Sequence, residues 1–540
     1  MNEINGFIHF LTEKKIELQC SEGQLKISAP KNVLTNEIIS EIQKNKAKLI
    51  ELLVSIESKD HRPLIQKIEK QEGIYKTTYS QKAQWAKYNF SSFWIAENGC
   101  LIKIFKEINL DLFKQALWLF VFRHDCLTSH YEFTDGDLVQ VTQAQNLRTP
   151  ALRVLKLSNV ADISSSSKEI YHKELNTSFD LNKGPLFRVT VASFNEENHH
   201  VFYTIDSSIY DRMSEHIIIS EIDEIYECLK NRKHINLPEI NFQYHEFSEW
   251  EDTLLKGKYG NILRNYWKKY VSSFREVTYL PTDFPYDYRK SNSMNYLDAF
   301  EFEIKNFCKP TAIEKFEYIS GTRSSFKFVS GGLFKFTFSD QNIILQLRDF
   351  SKENAISMYS IFLSVFYLLF HKLSNQKEIV IGNCVSLKDD PKLNQTIGFF
   401  TNIIFTKAEV DEKEEYLYFV KRVMNDFINC YEHKNYPWEK VLEESNNAYH
   451  KLSLLFLDYL NLGERESEED NGRLEHEEGA PAIFDNSCFI HEYRNAIQFQ
   501  WIYSKQLFHE ETVKNFIEEY KKILFTVVNN PQSTIKNILQ

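Results

Sequence analysis

A chain of 540 residues exceeds what one hydrophobic core usually organises, so at least two cores are expected, with room for a small extra module. Hydrophobic residues at 43% and charged residues at 26%, with 42 Phe and 28 Tyr, describe a folded chain and exclude disorder as the default. A formal net charge of -11 excludes the basic footprint of a nucleic-acid binder and disfavours an anionic membrane surface as partner.

The opening MNEINGF has no basic stretch ahead of an apolar one, so secretion is not signalled and a cytoplasmic location is expected. Ile4, Phe7, Ile8, Phe10 and Leu11 recur at helical spacing. IELQCSEGQLKIS alternates apolar and polar residues around Ser21-Glu22-Gly23, which predicts a β-hairpin closed by Pro30. Thr35 is the expected N-cap of a second helix running through Ile38, Ile39, Ile42 and Leu49 to Leu53. Residues 1–55 therefore read as one small unit, and the polar stretch 56–72, which holds Pro63, as a linker.

From residue 73 onward, helix-like and strand-like patterns alternate, which predicts an α/β domain. DLFKQALWLFVFRH near 111–124 reads as a helix, HVFYTI at 200–205 as a strand, and SEHIIISEIDEIYECL after it as a helix. A helix from Met358 to Leu373 follows, then strands in EIVIGNCVS and GFFTNIIF. The apolar run Tyr359 to Phe370 is too short to cross a bilayer and reads as a buried helix. The acidic run Glu464 to Glu478 reads as a solvated loop. Two lobes are expected, at 73–250 and 251–540. The eight cysteines stand singly, with no CxxC pair, so they read as reduced packing residues and no metal site is expected.

The order helix, hairpin, helix, with the phrase QLKISAPKNVLTNEI, resembles the small tubulysin-type docking domains at the amino ends of synthetase subunits. The resemblance implies that residues 1–55 receive the carboxyl-terminal tail of an upstream synthetase by strand addition to the hairpin edge. A plain helical cap on the main domain is the alternative.

A longer series of motifs follows in order. It comprises Thr78-Tyr79-Ser80-Gln81 with Trp85, Arg123-His124-Asp125-Cys126-Leu127 with Asp135-Gly136, Phe179-Asp180, and Gly184-Pro185-Leu186-Phe187-Arg188. Tyr266-Trp267, Leu280-Pro281-Thr282-Asp283-Phe284-Pro285, Ile397-Gly398-Phe399-Phe400-Thr401-Asn402 and Tyr436-Pro437-Trp438-Glu439-Lys440 complete it. This series resembles the condensation domains of non-ribosomal peptide synthetases over nearly all of residues 73–540. The resemblance implies two α/β lobes similar to chloramphenicol acetyltransferase, set as a V-shaped pseudo-dimer behind the small α/β docking domain. It further implies donor and acceptor carrier proteins as partners, whose phosphopantetheine arms carry thioester substrates into a tunnel between the lobes. No cofactor bound by the chain itself is implied.

The family's active-site signature, H-H-x-x-x-D-G, falls at residues 206–212. This chain reads Asp206-Ser207-Ser208-Ile209-Tyr210-Asp211-Arg212, and only Asp211 matches. His199-His200 are out of register, because the Asp of the signature would fall on Thr204, and they read as surface-turn residues. A serine hydroxyl does not take a proton near neutral pH as an imidazole does, although holding two reactants together still lowers a barrier. The pattern Asp206-x4-Asp211-x2-Ser214 resembles the D-x-x-x-x-D-x-x-S signature of heterocyclisation domains, which cyclise Cys, Ser or Thr acceptors. In the second lobe, Leu457 stands where that branch has its Thr, within Leu454-Leu455-Phe456-Leu457-Asp458, and Asp485 is the counterpart of its Asp.

Asp206, Ser207 and Asp211 are thus the candidate catalytic residues, Arg123 and Ser214 the structural ones at the site, and Asp485 the second-lobe candidate. The resemblance implies that Asp211 pairs with Arg123 in a buried ion pair. Asp206 either steers an acceptor amine or caps its own turn. Three functions stay open: an enzyme that forms an amide between carrier-bound groups, with heterocyclisation as a further step, a catalytically silent platform for docking and gating, and a free-standing acyltransferase that accepts a diffusible amine.

Overall fold

A computed structural model describes residues 11, 14, 16–21, 24–29, 35–46, 49, 62–68, 73–90, 98–142, 151–157, 160–275, 278–284, 330–444, 455–463, 478–482 and 484–540. Strands β1 (Glu17–Ser21) and β2 (Gln24–Ser28) form the expected antiparallel hairpin, with Ser21 opposite Gln24. Helix α1 (Asn36–Lys44) begins where its cap places it: the Thr35 hydroxyl accepts the Ile38 N–H at 3.3 Å. Leu11, Ile16, Ile42 and Leu49 are buried together as a small core of their own. The first predicted helix up to Phe10 and the second beyond Leu49 lie outside the described residues.

The segment expected to be a linker packs closely where it is described. Trp250 donates its indole N–H to the Pro63 carbonyl at 2.7 Å, Glu246 accepts the Ile68 N–H at 3.2 Å, and Arg62 pairs with Asp389 at 2.9 Å.

The first lobe holds β3 (Ile74–Lys76), α2 (Tyr79–Phe90), β4 (Asn98–Phe105), α3 (Leu110–Arg123), β5 (Ser129–Thr134), β6 (Asp137–Thr142), β7 (Ala151–Lys156), α4 (Ile163–Asn176), β8 (Phe187–Asn195), β9 (Asn198–Asp206) and α5 (Arg212–Lys230). Its main sheet has the order β4-β9-β8-β7, and β3, β6 and β5 make a smaller one. Val201, Phe202, Tyr203 and Ile205 of β9 are fully buried, so β-branched and aromatic residues sit where pleated packing favours them. Helices α6 (Tyr244–Lys256) and α7 (Lys258–Ser272) follow, so the expected lobe boundary at residue 250 falls within α6.

The second lobe adds β10 (Ser330–Phe338), α8 (Gln341–Asn354), α9 (Met358–Ser374), β11 (Glu378–Ser386), β12 (Thr401–Glu409), α10 (Tyr416–Glu432), α11 (Trp438–Glu444), β13 (Leu455–Asn461), β14 (Glu478–Pro481), β15 (Asn486–Glu492), β16 (Ile497–Ser504), α12 (Glu510–Asn529) and α13 (Ile535–Ile538). Among the described residues its sheet has seven strands, in the order β12-β11-β13-β15-β16-β10-β14. Helix α9 is buried from Tyr359 to His371, which is why its sequence carries no polar stripe. No single helix among the described residues is long and apolar enough to cross a membrane. Period-2 alternation divides this sheet's two faces. Leu455 and Leu457 of β13 join the core under α9 and α12, whereas Phe456 joins the core shared with the first lobe.

The predicted strand GFFTNIIF begins only at Thr401. Gly398 to Phe400 are withheld from it because their backbone groups bond to the first lobe, as described below. The acidic run lies outside the described residues except for Glu478, where β14 begins.

Candidate functional site

Strand β9 ends at Asp206, a 3-10 turn covers Ser207–Ile209, and α5 starts at Arg212. Each of the loop's carboxylates is engaged by backbone. Asp206, 2% exposed, accepts the Ser208 N–H at 2.9 Å, which caps the 3-10 turn and realises the turn-capping alternative. Asp211 is the N-cap of α5: its Oδ1 accepts the Ser214 N–H at 2.9 Å and the Ser214 hydroxyl at 2.8 Å. Its Oδ2 accepts the Phe400 N–H at 3.0 Å, across the junction between the lobes.

Ser214 strengthens that junction, its hydroxyl oxygen accepting the Gly398 N–H at 3.3 Å. Gly398 has to be glycine, because a Cβ there would stand 2.1 Å from the Tyr244 ring. Ser207 is half-buried, while Ser208 beneath it is buried. The Ser208 hydroxyl accepts from Tyr131 at 2.9 Å, and the Tyr131 oxygen in turn accepts from Gln81 at 3.1 Å. Burial pushes the Tyr131 phenol far up, so it remains a neutral donor. Gln81, a motif residue, therefore braces the loop from below, whereas Trp85 of the same motif donates to Asn182 at 2.6 Å, outside the loop.

The expected Arg123–Asp211 ion pair is not made. Arg123 reaches Glu221 of α5 instead, at 3.0 and 3.2 Å, and His124 meets the same carboxylate at 2.9 Å. Burial raises the affinity of Glu221 for a proton, but the hydrogen bonds and charges of His124 and Arg123 outweigh it and hold the group below its usual range. The reason is helical geometry: Glu221 lies nearly three turns into α5, against the end of α3, whereas Asp211 faces the second lobe.

His199 and His200 are not turn residues, because β9 starts earlier than its apolar run suggests. Both lie within it, and His200 is buried against the Ser167 hydroxyl at 2.7 Å. Burial lowers its pKa. They stand at the opposite end of the strand from Asp206.

Asp485 is buried just before β15, beside Phe484, whose ring stacks on Phe456 at 3.4 Å. Leu457 is buried in the core on the far face of the sheet from the loop. Facing the loop instead are Asp458 and its neighbours, which the sequence reading passed over. Arg212, in the first turn of α5, extends to β15, where it contacts His491 and lies over the Phe489 ring at 5.7 Å. A cation in the first turn opposes the helix dipole by about 0.3–1 kcal/mol, so the contacts across the junction hold it there. Asp458 sits beside Phe489 in the β13–β15 register and feels the Arg212 charge. Part of its surface is accessible, yet protein crowds the carboxyl and burial raises its pKa, with Arg212 and the Tyr459 N–H pulling the other way.

Known proteins bear on this arrangement. A family profile described as "Condensation domain" matches residues 71–539, and one described as "TubC N-terminal docking domain" matches residues 4–54. Bacitracin synthase 2 of Bacillus licheniformis is 22% identical over 99% of this chain, which spans 19% of that protein. Bacitracin synthase 1 of the same organism is 25% identical over 78% of the chain, 7% of its own length. Among solved structures, the cyclization-docking bidomain of EpoB from Sorangium cellulosum superposes with a TM-score of 0.64 at 15% identity, covering 98% of this chain and 99% of that one. The X-domain in its complex with OxyB from teicoplanin biosynthesis gives 0.69 at 15% identity, covering 88% and 98%. At these identities the structures speak for the fold, and the chain spans a fifth or less of the two synthases.

Proposed function

Since the chain belongs to the condensation-domain family and carries a docking domain of the TubC type, we propose that it joins a carrier-bound acyl or peptidyl donor to a carrier-bound aminoacyl acceptor through an amide. The observation that carries this reading is the intact junction around the altered loop. Asp211 and Ser214 hold the loop against Phe400 and Gly398, so the scaffold that presents substrates to one another persists although the histidines are gone. Positioning alone supplies a large part of the barrier reduction for attack of an amine on a thioester. In this reading Asp206 and Asp211 shape the loop, Ser207 is its polar surface toward the substrates, and Asp485 supports the second-lobe side.

A second reading, amide formation followed by heterocyclisation, is favoured by one observation: Asp206, Asp211 and Ser214 of the cyclising signature act together as the caps that define the loop. Residues 1–55 would bind the tail of an upstream synthetase at a hairpin whose strands each have one open edge among the described residues.

The deciding experiment loads purified donor and acceptor carrier proteins and follows the acceptor-bound species by intact mass. The summed mass supports condensation, the summed mass less one water supports cyclisation, and no transfer supports the silent docking platform and refutes both enzyme readings.

A further inference from the structure

Four features converge on β13. Asp458 stands on the sheet face turned toward the first lobe, two residues after Phe456, whose ring belongs to the core the lobes share. Its flanking groups are a thiol, Cys384 on β11, and an aromatic ring, Phe489 on β15, while Cys488 and Tyr359 lie close enough to feel its charge. No side chain among the described residues hydrogen-bonds or ion-pairs with its carboxylate; the Tyr459 backbone N–H is near enough to favour its charged form. The nearest cation, Arg212, is held by His491 and Phe489, so it lies beside the carboxylate without closing on it.

A carboxylate in protein surroundings normally takes a cation or several donors, because an unpaired buried charge is costly. One that keeps accessible surface and lacks a side-chain partner is placed to receive a charge from a ligand. The loop opposite supplies no such group, since the Asp206 and Asp211 oxygens are occupied by Ser208, Ser214 and Phe400.

We propose that Asp458 binds the amino group of the aminoacyl acceptor and takes its proton, with Arg212 and His491 as positioning residues. This rests on the amide-forming reading above. The bound ammonium first loses one proton to solvent, the amine nitrogen then bonds to the thioester carbonyl carbon, the carbon–sulfur bond breaks with its electron pair leaving on sulfur, and the second proton passes from nitrogen to Asp458 and on to the thiolate. The free thiol and the amide balance the step. Burial makes the carboxylate a better base than an exposed one, and the Arg212 charge offsets part of that rise.

Calorimetry with pantetheine amides of glycine, alanine and cysteine, in which NH replaces the thioester sulfur, tests this without turnover. Each free-amine analogue is compared with its N-acetyl form on the wild-type chain and on Asp458→Asn. The expected result is a preference of about tenfold or more for the free amine in the wild type, lost in Asp458→Asn. Equal affinities, a preference that survives the substitution, or no binding of any analogue overturns the inference.

In the carrier assay, Asp458→Asn should lower transfer about a hundredfold and lose the rise of rate with pH. Its melting temperature should not fall, because a carboxyl whose pKa is raised by folding opposes folding once ionised. A wild-type rate in Asp458→Asn overturns the inference alone, whereas a wild-type chain that transfers nothing overturns the reading beneath it.

Discussion

Asp211 and Asp458 stand on opposite sides of one junction and use the same functional group in opposite ways. Asp211 spends both oxygens on N–H and O–H donors from α5 and from the segment before β12, while Asp458 has a single backbone N–H near it and a cation that does not close on it. The saturated carboxylate fixes shape, and the unsaturated one is open to a substrate. The difference teaches where to look when a motif has lost its titratable residue: toward the polar group that the fold has left without a partner.

The largest effect should come from removing the anchor of α5. Glu221→Ala leaves buried His124 and half-buried Arg123 without their carboxylate, and should cost about 3 kcal/mol in urea unfolding. Because the folded-state pKa of Glu221 is depressed, its contribution is present above the unfolded value of 4.5 and lost as pH falls through the folded one. The wild-type advantage over Glu221→Gln should therefore shrink in acid, and a pH-independent gap would refute the ion-pair account.

Next comes Asp211→Ala, which removes an N-cap and leaves the Phe400 N–H unsatisfied. Roughly 2 kcal/mol of stability should be lost, with transfer falling in proportion. Full stability in this variant would break the contrast with Asp458 from the structural side. A smaller loss, about 1 kcal/mol, is expected for Asp206→Ala, which uncaps only a 3-10 turn. If its transfer rate drops far beyond what that loss explains, Asp206 belongs with Asp458 as a group that meets substrate.

The smallest effect in acid is expected at Glu251, a third kind of carboxylate, buried and close enough to Glu439 to feel its charge. Burial, with the Glu439 charge adding to it against the Tyr79 N–H, pushes its pKa to about 8. A folded pKa raised above the unfolded 4.5 means that its stabilising contribution is complete below 4.5 and lost as pH rises toward 8. Glu251→Gln should therefore gain stability on the wild type as pH rises from about 4.5 to about 8 and keep a constant advantage above that range. Parallel stability curves through that range would contradict the raised pKa.

Local patterns carried much of the fold. Thr35 capping α1, the run EIVIGNCVS becoming β11, and the greasy stretch inside α9 all depend on periodicity and caps that neighbouring residues supply. The ordered motifs carried the two-lobed architecture. The candidate loop was legible too, since Asp206, Ser207, Asp211 and Ser214 are adjacent in the chain. Partners across the lobes were not. The resemblance gave Arg123 to Asp211, but Glu221 on the same helix is the carboxylate that α3 reaches. His199 and His200 read as a turn because β9 is longer than its apolar run. A signal for Asp458 did exist, a lone carboxylate in the apolar run LLFLDYL, yet nothing local says which face it occupies.

The sequence by itself determined the family, the docking unit at the start, the α/β alternation and the loss of an imidazole from the usual place, because these rest on residue order and short-range spacing. The tertiary structure decided which carboxylates are saturated and which is open. That depends on a helix start, two parallel strands and the segment before a third meeting from positions 211, 398, 458 and 489. Hydrogen bonds and charges are satisfied by whatever lies within a few ångströms, and chain separation carries no record of that distance.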